Sequence, residues 1–77
     1  MIEINYFGMN GDIQEAIIPI REILMITPDP ETLRTHVYVK SPKRKRVVDF
    51  LLAEYYGAFK RRLKEALENK VSYISNE

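Results

Sequence analysis

Cysteine is absent from this chain, and histidine occurs once, at His36. The first absence excludes disulfides, zinc–thiolate sites and cysteine nucleophiles. The second excludes a multi-histidine metal centre, so neither a metal nor a cofactor is expected. No apolar run approaches the roughly 20 residues of a membrane span. No basic-then-apolar stretch opens the sequence in the manner of a signal peptide. What is present fits one small globular domain: 77 residues, 45% hydrophobic and 30% charged. A core of this size is marginal without disulfides, a metal or a partner. With the first two excluded, a partner becomes the natural question.

The net charge of +1 conceals a division. Residues 1–39 carry two Lys/Arg against six Asp/Glu, a net of −4. Residues 40–77 carry ten against five, a net of +5. Such asymmetry speaks to partners and association rather than to fold.

The first half reads as strands. Ile2, Ile4 and Tyr6 alternate with Glu3 and Asn5 along one half-buried strand. A turn follows at Gly8–Asp12, then a second strand over Ile13–Ile18, which Pro19 ends or confines to an edge. Glu22–Thr27 is nearly all apolar and predicts a strand covered on both faces. Pro28-Asp29-Pro30-Glu31 breaks it. Thr35–Lys40 alternates again, with Val37 and Val39 opposite His36, Tyr38 and Lys40, and Lys45–Val48 predicts a short last strand.

The second half reads as one long helix with Asp49 as its N-cap. Val48, Leu52, Tyr55, Phe59, Leu63, Ala66, Leu67, Val71 and Ile74 recur mostly at spacings of three and four, a continuous apolar stripe. From Asp49 to Lys70 such a helix is roughly 33 Å long, against a sheet roughly 19–24 Å wide. The helix is therefore expected to overhang its sheet. Phe59, Leu63, Ala66, Leu67, Val71 and Ile74 become the candidate face for a partner protein or a second copy, as in a homodimer.

Catalytic chemistry finds little support. His36 is the only side chain suited to general base work at neutral pH, and its strand context predicts a half-exposed structural role. Gly8-Met9-Asn10-Gly11 lacks the lysine and hydroxyl of a phosphate loop. The acids have no spacing that suits carboxylate catalysis or a calcium loop. No catalytic and no metal-ligating residues are assigned.

The sharpest local signal is basic. Lys40, Lys43, Arg44, Lys45 and Arg46 crowd the predicted hairpin tip, and Lys60, Arg61, Arg62 and Lys64 form a second cluster on the helix. Together they suit phosphates, with Tyr38 and Tyr55 or Tyr56 as stacking surfaces, or an acidic protein surface. Pro42–Val47 also has the form of a short nuclear-import signal. The bland alternative is a solvated loop that keeps a hairpin edge from pairing.

Met1-Ile2, Gly11, Ile20, Ile23, Pro28-Asp29 with Thr32, Val37, Val39 and Val47-Val48 together resemble the flagellar FlbD-like family of small bacterial and bacteriophage proteins over residues 1–60. Lys43–Arg46, the helix start and the longer helix depart from that pattern. The resemblance implies a β-meander-plus-helix fold, no catalysis and an accessory or phage-encoded origin. It assigns no site residues; a cytoplasmic setting, in a bacterium or infected host cell, is a separate expectation.

The sequence thus predicts an α+β fold: a single domain over 1–77, with a mainly antiparallel meander of four or five strands over 1–48, a helix over 49–72 and a tail over 73–77. The expected function is a non-enzymatic interaction or regulatory module that binds a partner protein and self-associates through its helix. The alternative is a nucleic-acid-binding protein that uses both basic clusters.

Overall fold

The computed structural model describes residues 1–41, 43 and 45–75, with side chains through residue 68 apart from residue 41. Five strands and one helix follow in chain order: β1 (Ile2–Phe7), β2 (Ile13–Ile18), β3 (Ile23–Pro28), β4 (Arg34–Ser41), β5 (Arg46–Tyr55) and α1 (Tyr56–Ser75). The strands form one antiparallel sheet in the order β2-β1-β5-β4-β3, with the helix packed against it. This is the expected α+β architecture. Sequential pairing is broken at one joint only: β2 and β3 are not paired, and β1 closes on β5 instead, with Tyr6 opposite Leu52.

Turn chemistry explains the first hairpin. Gly11 has φ +82°, which glycine adopts without strain. At Gly8 a Cβ would lie 2.8 Å from an Asp12 carboxylate oxygen, so a side chain there would make the exposed Asp12 side chain move aside. Pro19 then ends β2, and a short 3-10 turn over Ile20–Glu22 carries the chain to the other edge of the sheet. β3 is therefore an edge strand. The expectation that it is covered on both faces fails: Leu24 and Met25 are exposed, because a register shift between Ile23 and Met25 interrupts its pairing with β4.

The largest correction concerns β5. The expected boundary between meander and helix at residue 49 is wrong, and Asp49 is no N-cap: residues 49–55 continue the strand, and the helix starts at Tyr56. Two periods coexist in this segment. Val48, Leu52, Tyr55 and Phe59 suit a helix, but Val48, Phe50 and Leu52 also alternate as a strand. Pairing decides between them, since β5 bonds to β4 through residues 46–51 and again at Tyr55, and meets β1 at Leu52. The β4–β5 register shifts between Arg34 and His36, which pair with Tyr55 and Leu51, so β5 bulges there while it stays paired with β4.

The core gathers the inward row of each strand. Ile2, Ile4, Ile18, Val37, Val39 and Leu52 are buried with Phe59 of the helix, and Leu63 packs partly against them. Phe59 is fully buried. Phe59 is therefore taken up by the core and is not open to a partner, contrary to the sequence expectation, and Leu63 is partly taken up with it. With the helix starting seven residues later, its first turns cover the chain's own sheet. Ala66 is half-buried and Leu67 is 44% exposed. The side chains of Val71 and Ile74 lie outside the described residues.

Candidate functional site

Two regions concentrate the polar chemistry. The first surrounds His36 and grows from the loop after β3. One carboxylate oxygen of Asp29, Oδ2, accepts from the Thr32 backbone N–H at 2.9 Å, the Thr32 hydroxyl at 2.9 Å and the Glu31 N–H at 3.2 Å. Its other oxygen faces His36 Nε2 at 2.9 Å, while His36 Nδ1 lies 3.1 Å from Asp49 Oδ1. His36 thus joins β4 to β5 and to the loop. Asp29 is lowered from 3.8 to about 2, first by the hydrogen bond from His36 and then by those from Thr32. His36 is raised above its ordinary 6.5, first by the hydrogen bond to Asp29 and then by that to Asp49. An imidazolium that donates both N–H groups to carboxylates has no lone pair with which to take a proton. The arrangement suits a clamp better than a general base.

The same loop anchors the helix. Leu33 has φ +63°, a costly conformation for a branched side chain. Its N–H donates to the Asp29 carbonyl at 2.9 Å, and its carbonyl accepts from the Tyr56 N–H at 2.8 Å, where α1 begins. Beside it the Arg34 guanidinium lies 5.4 Å from the ring centres of both Phe7 and Tyr55, with its Nε donating to the Ala53 carbonyl.

The basic residues fall into two separate places. Arg62 donates through Nε and Nη2 to both oxygens of Glu54, at 3.1 and 2.8 Å, and through Nη2 to the Glu3 carbonyl at 2.7 Å. It fastens α1 to β1 and to the end of β5. Lys60 lies over the Tyr56 ring, while Arg61 and Lys64 are exposed on the helix. Lys40, Lys43, Lys45 and Arg46 are exposed at the opposite end of β5, around the β4–β5 hairpin. Arg44 lies outside the described residues. The strand from Arg46 to Glu54 spans roughly 25 Å, so the two clusters do not merge at one point.

The second region is a pair of clefts at the hairpin end. The larger, about 540 Å³, is lined by Tyr6, Ile18, Val39, Val48 and Phe50, with Glu22 and Lys43 among its polar residues. Tyr6 and Phe50 meet edge to face, with ring centres 4.8 Å apart. The smaller, about 220 Å³, is lined by Arg21, Glu22, Leu24 and Lys40. Glu22 belongs to both, so the clefts adjoin. Lys43 borders the apolar hollow and Arg21 and Lys40 the adjoining cleft, three cations against the one shared acid, Glu22, so the pair can take an apolar side chain and attract a carboxylate beside it.

Lys40 and Lys43 were among the sequence-derived candidates; Arg21, Tyr6, Val48 and Phe50 were not. Alternation places Tyr6 inward, but nothing local brings Arg21 to Lys40 of β4, since that depends on the chain crossing from the β2 edge to the β3 edge. Among the described residues, no cluster of three or more His, Cys, Asp or Glu is arranged to hold a metal ion, and no helix is long and apolar enough to cross a membrane. No known family model, no curated protein and no solved structure matches the chain. Nothing in these comparisons bears on the resemblance to the FlbD-like family.

Proposed function

We propose that the chain is a non-enzymatic interaction module that binds an acidic, apolar-anchored segment of another protein at the hairpin end of its sheet. One observation carries this reading. The apolar cleft with Tyr6 and Phe50 adjoins a second cleft, and together they bring Arg21, Lys40 and Lys43, against Glu22 alone, around apolar surface. Apolar contact in such a hollow provides the affinity, and the flanking cations raise the association rate and set the register. The engagement of both ring nitrogens of His36 supports the absence of catalysis. The burial of Phe59 and the packing of Leu63 remove two anchors from a helix-mediated partner face.

Fluorescence anisotropy with a labelled peptide of alternating leucine and glutamate tests the proposal against a labelled oligothymidylate. The peptide is expected to bind with a shallow salt dependence, and Arg21→Glu combined with Lys43→Glu weakens it about tenfold, as the loss of roughly 1.4 kcal/mol implies. Oligothymidylate binding that is tighter than peptide binding and falls steeply with salt overturns the reading in favour of phosphate recognition. Peptide binding insensitive to both substitutions also overturns it.

A further inference from the structure

The strand order leaves two unpaired edges, β2 and β3, each six residues long. An open edge is a row of backbone N–H and C=O groups ready to pair with another chain, and natural proteins usually blunt it with lysine or proline. Along β2 neither occurs; Pro19 stands beyond its end. The outward row of β2 is Ile13, Glu15 and Ile17, with Ile13 59% and Ile17 63% exposed. Glu3 lies opposite Ile17 on β1, and Asp12 precedes the strand. This edge is apolar and acidic.

The edge at β3 is its complement. Leu24 and Met25 are exposed there, and Arg21 and Lys40 flank Leu24 in the smaller cleft, outweighing Glu22. A row with an acidic side chain between two apolar ones is what the smaller, basic-bordered cleft suits, and the outward row of β2, Ile13-Glu15-Ile17, is such a row carried by the same chain. We propose that β2 of one copy docks on β3 of a second copy, extending the sheet head to tail. This rests on the reading of the clefts given under Proposed function. Ile13 and Ile17 then meet Leu24 and Met25, and Glu15 meets Arg21 and Lys40. Charge selects this joint over the symmetric ones. A β2-to-β2 joint brings two acidic edges together, with Glu15 on each, and a β3-to-β3 joint brings two basic edges together, with Arg21 before each and Lys40 one strand behind. A head-to-tail interface leaves one edge of each kind open after every addition, so copies continue into a ring or a filament.

Sedimentation velocity on the full chain over a range of concentrations tests this. The native chain is expected to sediment as species larger than a dimer at low salt and to dissociate as salt rises. Two variants separate the edges: Glu15→Lys with Ile17→Lys, and Arg21→Glu with Lys40→Glu. Circular dichroism establishes that each folds; should the first pair prevent folding, Glu15→Lys alone takes its place. Each variant alone is expected to be a monomer, and an equimolar mixture is expected to give a 1:1 dimer and nothing larger. A native chain that stays monomeric overturns the proposal, as do a symmetric dimer in either variant alone and a mixture that fails to associate. If the native chain is monomeric yet still binds the leucine–glutamate peptide, only the head-to-tail joint falls. If the peptide fails as well, the cleft reading falls with it.

Discussion

Charge is handled in opposite ways in two regions of this molecule. Around the loop that follows β3 and the start of α1, charged side chains answer one another. His36 stands between Asp29 and Asp49, Arg62 grips Glu54 and the Glu3 carbonyl, and the Arg34 guanidinium lies between Phe7 and Tyr55. Among the described residues, the ion pairs all belong to this interlocked set. At the hairpin end, Lys40 and Lys43 border apolar clefts instead. Cations that fasten helix to sheet are spent on the fold, whereas cations beside an uncovered apolar hollow are left for the docking proposed above. Sequence composition alone does not separate the two, since Arg62 and Lys43 both sit in equally dense basic runs.

The comparison breaks most severely where the helix meets the core. Phe59 is fully buried between α1 and the inward rows of the strands. Phe59→Ala is expected to cost about 3–5 kcal/mol by lost transfer energy and a residual cavity, enough to leave a domain of this size largely unfolded. Urea denaturation followed by circular dichroism measures it. If the loss is small, α1 is not the lid on the core, and its stripe is again available as a partner face.

That outcome also marks how far local patterns reach. The alternation of Ile2, Ile4 and Tyr6 and of Val37 and Val39 located the inward rows correctly, because a period of two has one physical meaning when polar residues fill the gaps. Residues 49–55 were misread because an apolar run with few polar gaps satisfies both periods, and only the strands on either side decide. The His36 cluster was half legible. Its place on the outward row of β4 followed from alternation, but Asp49 becomes its neighbour only once β5 extends past Val48. Arg21 carried no local signal of its role, since its position depends on the chain crossing from one sheet edge to the other.

The interlocked region predicts a pH dependence of stability. A histidine whose folded pKa is raised adds stability that is fully present below 6.5 and is lost as pH rises through the higher folded value. Asp29, lowered from 3.8 to about 2, adds stability present above 3.8 and lost as pH falls toward 2. The urea midpoint is therefore expected to be highest between about pH 4 and 6.5, declining on both sides. His36→Gln is expected to lower the midpoint and to flatten the decline on the alkaline side. An unchanged alkaline limb in that variant assigns the decline to other groups and removes the clamp from the comparison.

Smaller effects are expected where the surface is built to meet something. Arg21→Glu with Lys43→Glu should move the urea midpoint little, since exposed charges away from caps and networks usually contribute within about 0.5 kcal/mol, while weakening acidic-peptide binding about tenfold, or roughly 1.4 kcal/mol. A large loss of stability in that variant contradicts the division, because it places those cations in the interlocked class.

Leu67 is the least committed apolar side chain on the described helix face, at 44% exposure and beyond the last core contact at Leu63. Leu67→Asp is expected to change stability by less than about 1 kcal/mol and to leave sedimentation and peptide binding unchanged. The two readings of the helix diverge most sharply at this position. If its stripe is a self-association face, as its spacing alone suggests, this substitution disperses the assembly that β2 and β3 variants leave intact. If the edges carry association, the order reverses, and the apolar stripe past Leu63 contributes to neither fold nor partner.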